Sequence, residues 1–328
     1  MATYLLVDTM NTFFRARHVV RGNVSEKVGM AIHITLNAIN KCYKQFNADH
    51  VVFALEGRSW RKDFYTPYKK NRSDKRAALT PKEAEEDAVF FEAYDDFLKF
   101  MSERTNCSTI KCDIAEADDI IARFIAKHPD DEHVIVSSDT DFVQLLTPSV
   151  HQYNGITKET IRIDGVFDDA GKPVLDKKTG EHKVPADPKY QLFKKCMRGD
   201  PTDNVFSAFP GVREKGSSKK VGLVEAYADK DTKGFAWNNM MLQRWTDHNG
   251  DEHRVLDDYN RNVVLCDLTA QPAEIREIIN NTIAEVEPKD ITQVGMRLMK
   301  FCAKWDMQRV ADHAQSFAEP LQAKYPKN

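Results

Sequence analysis

The chain has 328 residues, of which 41% are hydrophobic and 30% charged, with a formal net charge of −3. That length and apolar content suit one large α/β domain with an appendage, or two domains, and exclude a disordered chain. The longest purely apolar run is Val51–Leu55, far too short for a spanning helix, and Met1–Asp8 lacks the charged head of a signal peptide, so a cytoplasmic location is expected, in the host if the source is viral.

In chain order, residues 2–8 form a short apolar strand ending at Asp8. Val28, Ile32, Leu36, Ile39, Tyr43 and Phe46 then recur at helical spacing before a strand over 51–56, a βαβ start. A basic aromatic segment follows: eight Lys or Arg between Arg58 and Arg76, against only Asp63 and Asp74. Thr80-Pro81-Lys82-Glu83 predicts a capping box with proline in the first turn, opening a helix that runs to about Met101. Its seven acids between Glu83 and Asp96 read as a solvated face. A strand near Thr109–Cys112 leads to a helix from about Glu116, and the β-branched Val134–Val136 ends in Ser137-Ser138-Asp139.

Strands alternating with helices predict an α/β fold with a mainly parallel central sheet flanked by helices, its site at the carboxyl ends of the strands. Residues 164–188, rich in Gly, Pro, Asp and Lys, read as a hairpin or surface excursion marking the domain boundary. The expected division is an α/β core over 1–188 and a helical region over 189–328, including an apolar and basic stretch from Val294 to Ala323. Cys42, Cys107, Cys112, Cys196, Cys266 and Cys302 have no C-x-x-C spacing and are expected as buried reduced thiols.

Nine carboxylates fall in five clusters: Asp8; Glu56; Glu116, Asp118 and Asp119; Asp139 and Asp141; Asp200 and Asp203. Like charges gather only where cations neutralise them, and Mg²⁺, which takes oxygen ligands, is the first candidate. On a helix Glu116 and Asp119 share a face with Asp118 on the flank, and on an extended segment Asp139 and Asp141 share a face. Asp200 and Asp203 repeat the three-residue spacing where Gly199 and Pro201 suggest the start of another helix. Two ions held by such a set suit two-metal phosphodiester cleavage. One aspartate after a strand is more often a helix cap than a ligand; capping does not account for five clusters at one sheet edge.

The same residues carry a family resemblance. Val7-Asp8-Thr9-Met10-Asn11, Tyr68-Lys69-Lys70-Asn71-Arg72, Ala115-Glu116-Ala117-Asp118-Asp119, Ser137-Ser138-Asp139-Thr140-Asp141 and Gly199-Asp200-Pro201-Thr202-Asp203-Asn204 resemble, in that order, the motifs of the flap endonuclease and 5′-exonuclease family. Trp60–Phe64 followed by Tyr68–Arg72 is most similar to the T-even phage ribonuclease H branch. The resemblance implies a PIN-like nuclease fold with a helical DNA-binding region, and a Mg²⁺-dependent 5′→3′ exonuclease and flap endonuclease that removes RNA primers and flaps during replication. It implies two Mg²⁺ ions, with Mn²⁺ as a substitute. Asp8, Glu116, Asp118 and Asp139 would form the core metal site, and Asp119, Asp141, Asp200 and Asp203 the second site or its water shell. Glu56 departs from the usual Asp by one methylene, and Phe209–Lys220 stands where the family carries a helix-hairpin-helix.

Lys69 and Arg72 match the positions that grip the scissile phosphate, where a cation offsets charge on the non-bridging oxygens. Tyr68, beside Lys70, reads equally as a base-stacking or a packing residue, with Tyr65 a weaker stacking candidate; Trp60 and Phe64 read as packing. Arg213, Lys215, Lys219 and Lys220 are candidate contacts to duplex phosphates, and Arg15 a weaker one. Expected partners are DNA duplexes with a 5′ end, nick or flap and RNA–DNA hybrids, with single-strand binding protein and sliding clamp suggested by the family role; a monomer with no membrane partner is expected. Two rival readings exist. A haloacid dehalogenase-type phosphatase matches Asp139-Thr140-Asp141 and Gly199-Asp200-x-x-Asp203 but leaves Glu116, Asp118, Asp119 and the basic segment without a role. A non-catalytic module for branched DNA conflicts with so many carboxylates, which repel DNA unless metals are present.

Overall fold

The computed structural model describes residues 1–15, 22–217 and 220–326. Its main sheet has seven strands in the order β3-β2-β1-β4-β5-β6-β7. These are β1 (Thr3–Asp8), β2 (His50–Leu55), β3 (Ser108–Lys111), β4 (Glu132–Val136), β5 (Val150–Asn154), β6 (Glu159–Arg162) and β7 (Gly165–Asp168). The first five in spatial order run parallel, and β6 and β7 add antiparallel at one edge. Leu5 of β1 lies opposite Val51 of β2 and Val134 of β4. Both faces of β1 and β2 are covered, which is why these strands are apolar almost throughout.

Alternation along the strands separates two cores. Leu5, Val7, Val51 and Phe53 join a cluster with helices Val24–Gln45, Pro81–Arg104, Val294–Lys304 and Ala314–Gln322. Tyr4 points the other way, its ring 5.1 Å from Phe124 of helix Ala117–Lys127, which packs beside helix Ala273–Ala284. The capping box of Thr80 and Glu83 is present in both directions, and that helix extends three residues past Met101. Its acids are exposed or half-buried, as a solvated face requires. Residues 164–188 fold back through β7 and two isolated bridges, Phe167 with Pro173 and Leu175 with His182. All six cysteines are buried and free. Among the described residues no helix is long and apolar enough to cross a membrane.

The chain forms two compact units: residues 1–58, 79–185 and 273–328, and residues 59–78 with 186–272. This differs from a division into 1–188 and 189–328 at two places. The C-terminal helices return to the first unit because Val294, Leu298, Cys302, Phe317 and Leu321 complete its core. The basic segment 59–78 belongs to the second unit, where Arg61 is fully buried and its Nε donates to the Leu265 carbonyl at 3.0 Å. That unit has its own core, which Tyr68 joins with Phe193, Met197, Trp237 and Tyr259 from three helices. It also contains a small hairpin absent from the sequence reading, β8 (Arg244–Thr246) and β9 (Glu252–Arg254), turning through Asn249 and Gly250, the latter at φ 91°.

Candidate active site

In the first unit β1 and β4 are neighbours, and each ends in a carboxylate motif. Asp8 closes β1, is 7% exposed, caps helix Thr9–Phe14 through the Asn11 N–H at 3.4 Å, and accepts the Ser137 hydroxyl at 2.8 Å. Ser137 Oγ in turn accepts the Asp139 N–H at 3.0 Å. Asn11 Oδ1 accepts both the N–H and the hydroxyl of Ser138, at 3.1 and 2.9 Å. From β5, Gln152 Nε2 donates to the carbonyls of Ser137 and Asp139 at 3.0 and 2.6 Å. These donors fix the strand ends before any ligand arrives. Asp139 and Asp141 are not on an extended segment: Thr140–Leu145 is a 3₁₀ turn capped by Asp139, which accepts the Asp141 N–H at 2.9 Å. A short polar side chain before a turn satisfies the free N–H there, and that local gain outweighs extension.

Glu56 follows β2, and its Oε2 accepts the Ala117 N–H at 3.3 Å. The next residue must be glycine: a Cβ at Gly57 would lie 2.0 Å from the Cys112 carbonyl oxygen. Close passage of 56–58 along 112–115 therefore sets Glu56 beside the start of helix Ala117–Lys127. Glu116 caps that helix, and Glu116, Asp118 and Asp119 each bring a carboxylate oxygen within 4.8 Å of the others. Glu116 is 5% exposed and Asp119 wholly buried. Nearby, the buried Tyr94 hydroxyl has no hydrogen-bond partner among the described residues. Its acidity is suppressed first by burial and then by the carboxylates of Glu56 and Asp8. An all-oxygen donor set, like charges in a largely buried cluster and an unpartnered hydroxyl fit a hard divalent cation with its water shell.

The second unit carries the remaining candidates. Helix Pro188–Arg198 stops at Gly199, φ 75°, and Asp200 bridges to Val205, so 199–204 is a closed turn and not the start of a helix. Lys195 Nζ lies 2.8 Å from Asp200 Oδ2, and Thr202 donates its N–H to Oδ1 at 2.8 Å. Burial alone would raise the Asp200 pKa; the Lys195 ammonium and the Thr202 donors outweigh it and hold the carboxyl at about 2. Asp203 is contacted by Arg72, by Tyr68 Oη at 3.3 Å and by Lys69 Nζ at 3.6 Å. Tyr68 is 3% exposed, so its ring packs in the core and offers no face for stacking. Tyr65 is half-buried, under Arg261 at 5.2 Å. Trp60 is buried as expected, but Phe64 is 51% exposed, because a one-turn helix, Arg61–Phe64, spends its inward face on Arg61.

Lys70, Arg213, Lys215 and Lys220 are exposed, and Lys219 lies outside the described residues. Arg15, in the first unit, is half-buried with its guanidinium against Gly155, and burial lowers its pKa. Asn11, Ser137, Ser138, Gln152, Tyr94, Lys195, Asn71 and Asn204 had no role in the sequence reading. Five of them, Asn11, Asn71, Ser137, Ser138 and Asn204, sit inside the motifs already quoted, which is the only signal the sequence gives of them.

A mainly parallel sheet with carboxylates gathered at the carboxyl ends of its strands defines an α/β protein with an acidic centre. Residues 3–171 match the family model described as the 5′-3′ exonuclease, N-terminal resolvase-like domain, and the chain belongs to that 5′-3′ exonuclease family. It is 30% identical over 241 residues to the DNA polymerase I of Rhizobium leguminosarum, covering 69% of this chain and 21% of that protein. It is 28% identical over 223 residues to the ribonuclease H of Enterobacteria phage T4, covering 62% of this chain and 65% of that one. The chain thus spans less than two thirds of either relative. In fold it resembles the bacteriophage T5 flap endonuclease solved as a pseudo-enzyme–product complex with DNA and metal ions, with a TM-score of 0.58 at 18% identity, covering 97% of this chain and 99% of that one.

Proposed function

We propose that the protein is a Mg²⁺-dependent 5′→3′ exonuclease and structure-specific 5′ flap endonuclease that removes RNA primers and 5′ flaps from DNA duplexes during replication. The observation that carries this reading is the convergence of Glu116, Asp118 and Asp119, two of them buried, in a chain of the 5′-3′ exonuclease family. Asp8, Glu56, Glu116, Asp118, Asp119, Asp139 and Asp141 are the proposed holders of two ions, with Asp200 and Asp203 serving the second ion or its waters; Mn²⁺ substitutes for Mg²⁺. When bound, the ions supply Lewis acidity and lower the pKa of water into the working range. Ser137, Asn11 and Gln152 hold the acids in place. Lys69 and Arg72 offset charge on the phosphate oxygens. Lys70, Arg213, Lys215, Lys219, Lys220 and Arg15 contact backbone phosphates without reading bases.

Substrates on this reading are DNA duplexes with a 5′ end, nick or flap, and RNA–DNA hybrids. The protein works as a monomer in the cytoplasm beside single-strand binding protein and sliding clamp. The family match removes the reason to favour a dehalogenase-type phosphatase, and the buried acid cluster disfavours a non-catalytic DNA module. The test is incubation with a 5′-flap duplex and a nicked RNA–DNA hybrid, each labelled at either end, with Mg²⁺ and then with EDTA. Short 5′ products that vanish on chelation are expected; binding without cleavage would overturn the reading.

A further inference from the structure

Within the second unit, two asparagines tie residues 67–72 to residues 200–204 in opposite directions. Asn71 Nδ2 donates to the carbonyls of Pro201 and Thr202 at 3.2 and 3.1 Å. Asn204 Nδ2 donates back to the Pro67 carbonyl at 2.8 Å. Between them the Lys69 N–H donates to the Asp203 carbonyl at 2.8 Å. Lys69 and Asn204 both adopt the left-handed conformation, at φ 54° and 57°. Asparagine tolerates it, but for lysine it is strained and persists only where the surroundings over-determine it. The Asn71 carboxamide oxygen is buried without a hydrogen-bond partner among the described residues, so that side chain is held for its donors, at the cost of an unsatisfied acceptor. A lysine that only needed to present charge at a surface would require none of this.

We propose that Asn71 and Asn204 are positioning residues that lock the Lys69–Arg72 segment onto the 200–204 turn, fixing the direction in which Lys69 and Arg72 present their charge to the substrate phosphate. The inference rests on the proposed nuclease reading for its consequence in turnover, and on hydrogen bonds alone for the lock. Asn71 and Asn204 touch no substrate; they act through Lys69 and Arg72.

The test uses the full chain with N71D, which keeps the shape of Asn71 and removes its donors, and N204G, which keeps the left-handed backbone and deletes the carboxamide. Steady-state cleavage of a 5′-flap duplex is measured in Mg²⁺, alongside amide hydrogen exchange at Lys69. Expected for each variant are a kcat lowered about tenfold or more with KM within about twofold, and faster exchange at Lys69. In a Lys69→Ala background N71D should cost clearly less than in wild type, because only the share that acts through Arg72 remains. Equal fold-losses in both backgrounds, or unchanged exchange at Lys69 in both variants, would overturn the lock. If N71D does not fold, N204G decides by the same readings. Wild-type chain that fails to cleave overturns the nuclease reading instead, and the exchange measurement still judges the lock.

Discussion

Ser137 donates its hydroxyl to the Asp8 carboxylate at 2.8 Å and accepts the Asp139 N–H at 3.0 Å, so one side chain at the end of β4 orients the acid ending β1 and the backbone of a second acid. The parallel register that sets Val7 beside Val136 makes this reach possible. Asp8 at the end of β1 and Asp139 just past the end of β4 are thereby tied together through one side chain.

Ser137→Ala removes the donor to Asp8 and leaves that buried carboxylate with one hydrogen bond fewer. A hydrogen bond to a charged group is worth about 1.5 kcal/mol or more, and 1.4 kcal/mol is a factor of ten. The expected outcome is a roughly tenfold loss in kcat/KM on a flap duplex, with stability lowered by about 1.5 kcal/mol. Initial rates at saturating Mg²⁺ check it, and a wild-type rate would mean that other contacts hold Asp8.

Metal addition and removal should read out in stability. Glu116, Asp118 and Asp119 repel one another within a 4.8 Å cluster, and a bound cation relieves that repulsion in the folded state alone. Mg²⁺ at about a hundred times its Kd should stabilise the fold by about 2.7 kcal/mol, and EDTA should reverse this. Asp119→Asn should melt higher than wild type in EDTA and gain less from Mg²⁺. Thermal denaturation with and without chelator measures both, and an undiminished Mg²⁺ shift in D119N would remove Asp119 from the metal site.

Much of the fold was legible because its signals are local. The Thr80–Glu83 capping box, the apolar β1 ending at Asp8 and the Ser137–Asp139 end of β4 depend on neighbours a few residues away. What escaped depends on distant partners. Tyr68 is buried and Phe64 exposed because Arg61, anchored to Leu265 some two hundred positions later, decides which face of that turn points inward. The 199–204 segment was read as a helix start because its glycine and proline fit one; the bridge from Asp200 to Val205 closes it as a turn. The acids themselves were visible, while the Ser137 and Gln152 donors and the Asn11 acceptor around them required strand register, which one sequence does not carry.

Acid should weaken the fold through two histidines far from the carboxylates. His50 is fully buried and His133 1% exposed. Burial pushes each down to about 4; at His50 the Ala323 carbonyl resists the shift and Lys289 adds to it, and at His133 His128 adds to it and Asp131 resists. Between pH 6.5 and 4 the unfolded chain binds these protons and the folded chain does not, so stability falls as pH falls through that window. At pH 5 each histidine should cost about 2 kcal/mol relative to pH 7.5. Because neither ring nitrogen of His133 has a hydrogen-bond partner among the described residues, His133→Phe should remove its share. Urea midpoints at pH 5 and 7.5 measure this, and an equal drop in wild type and variant would refute it.

Lys69 should matter more for turnover than for binding. Its ammonium lies 3.6 Å from Asp203 and 5.1 Å from the Tyr68 ring, both in the second unit, so its position is held by neighbours as a surface lysine's is not. Lys70, one residue on, is exposed. A fixed cation aimed at charge that develops in the transition state lowers the barrier, whereas a mobile one adds chiefly to ground-state attraction that salt screens. Lys69→Ala is therefore expected to cut kcat by about a hundredfold with duplex affinity changed only a few-fold. Lys70→Ala should weaken binding modestly, reduce its salt dependence and spare kcat. Single-turnover rates with binding titrations in Ca²⁺ at two salt concentrations separate the two, and equal losses in rate and affinity for Lys69→Ala would reduce Lys69 to a general phosphate contact.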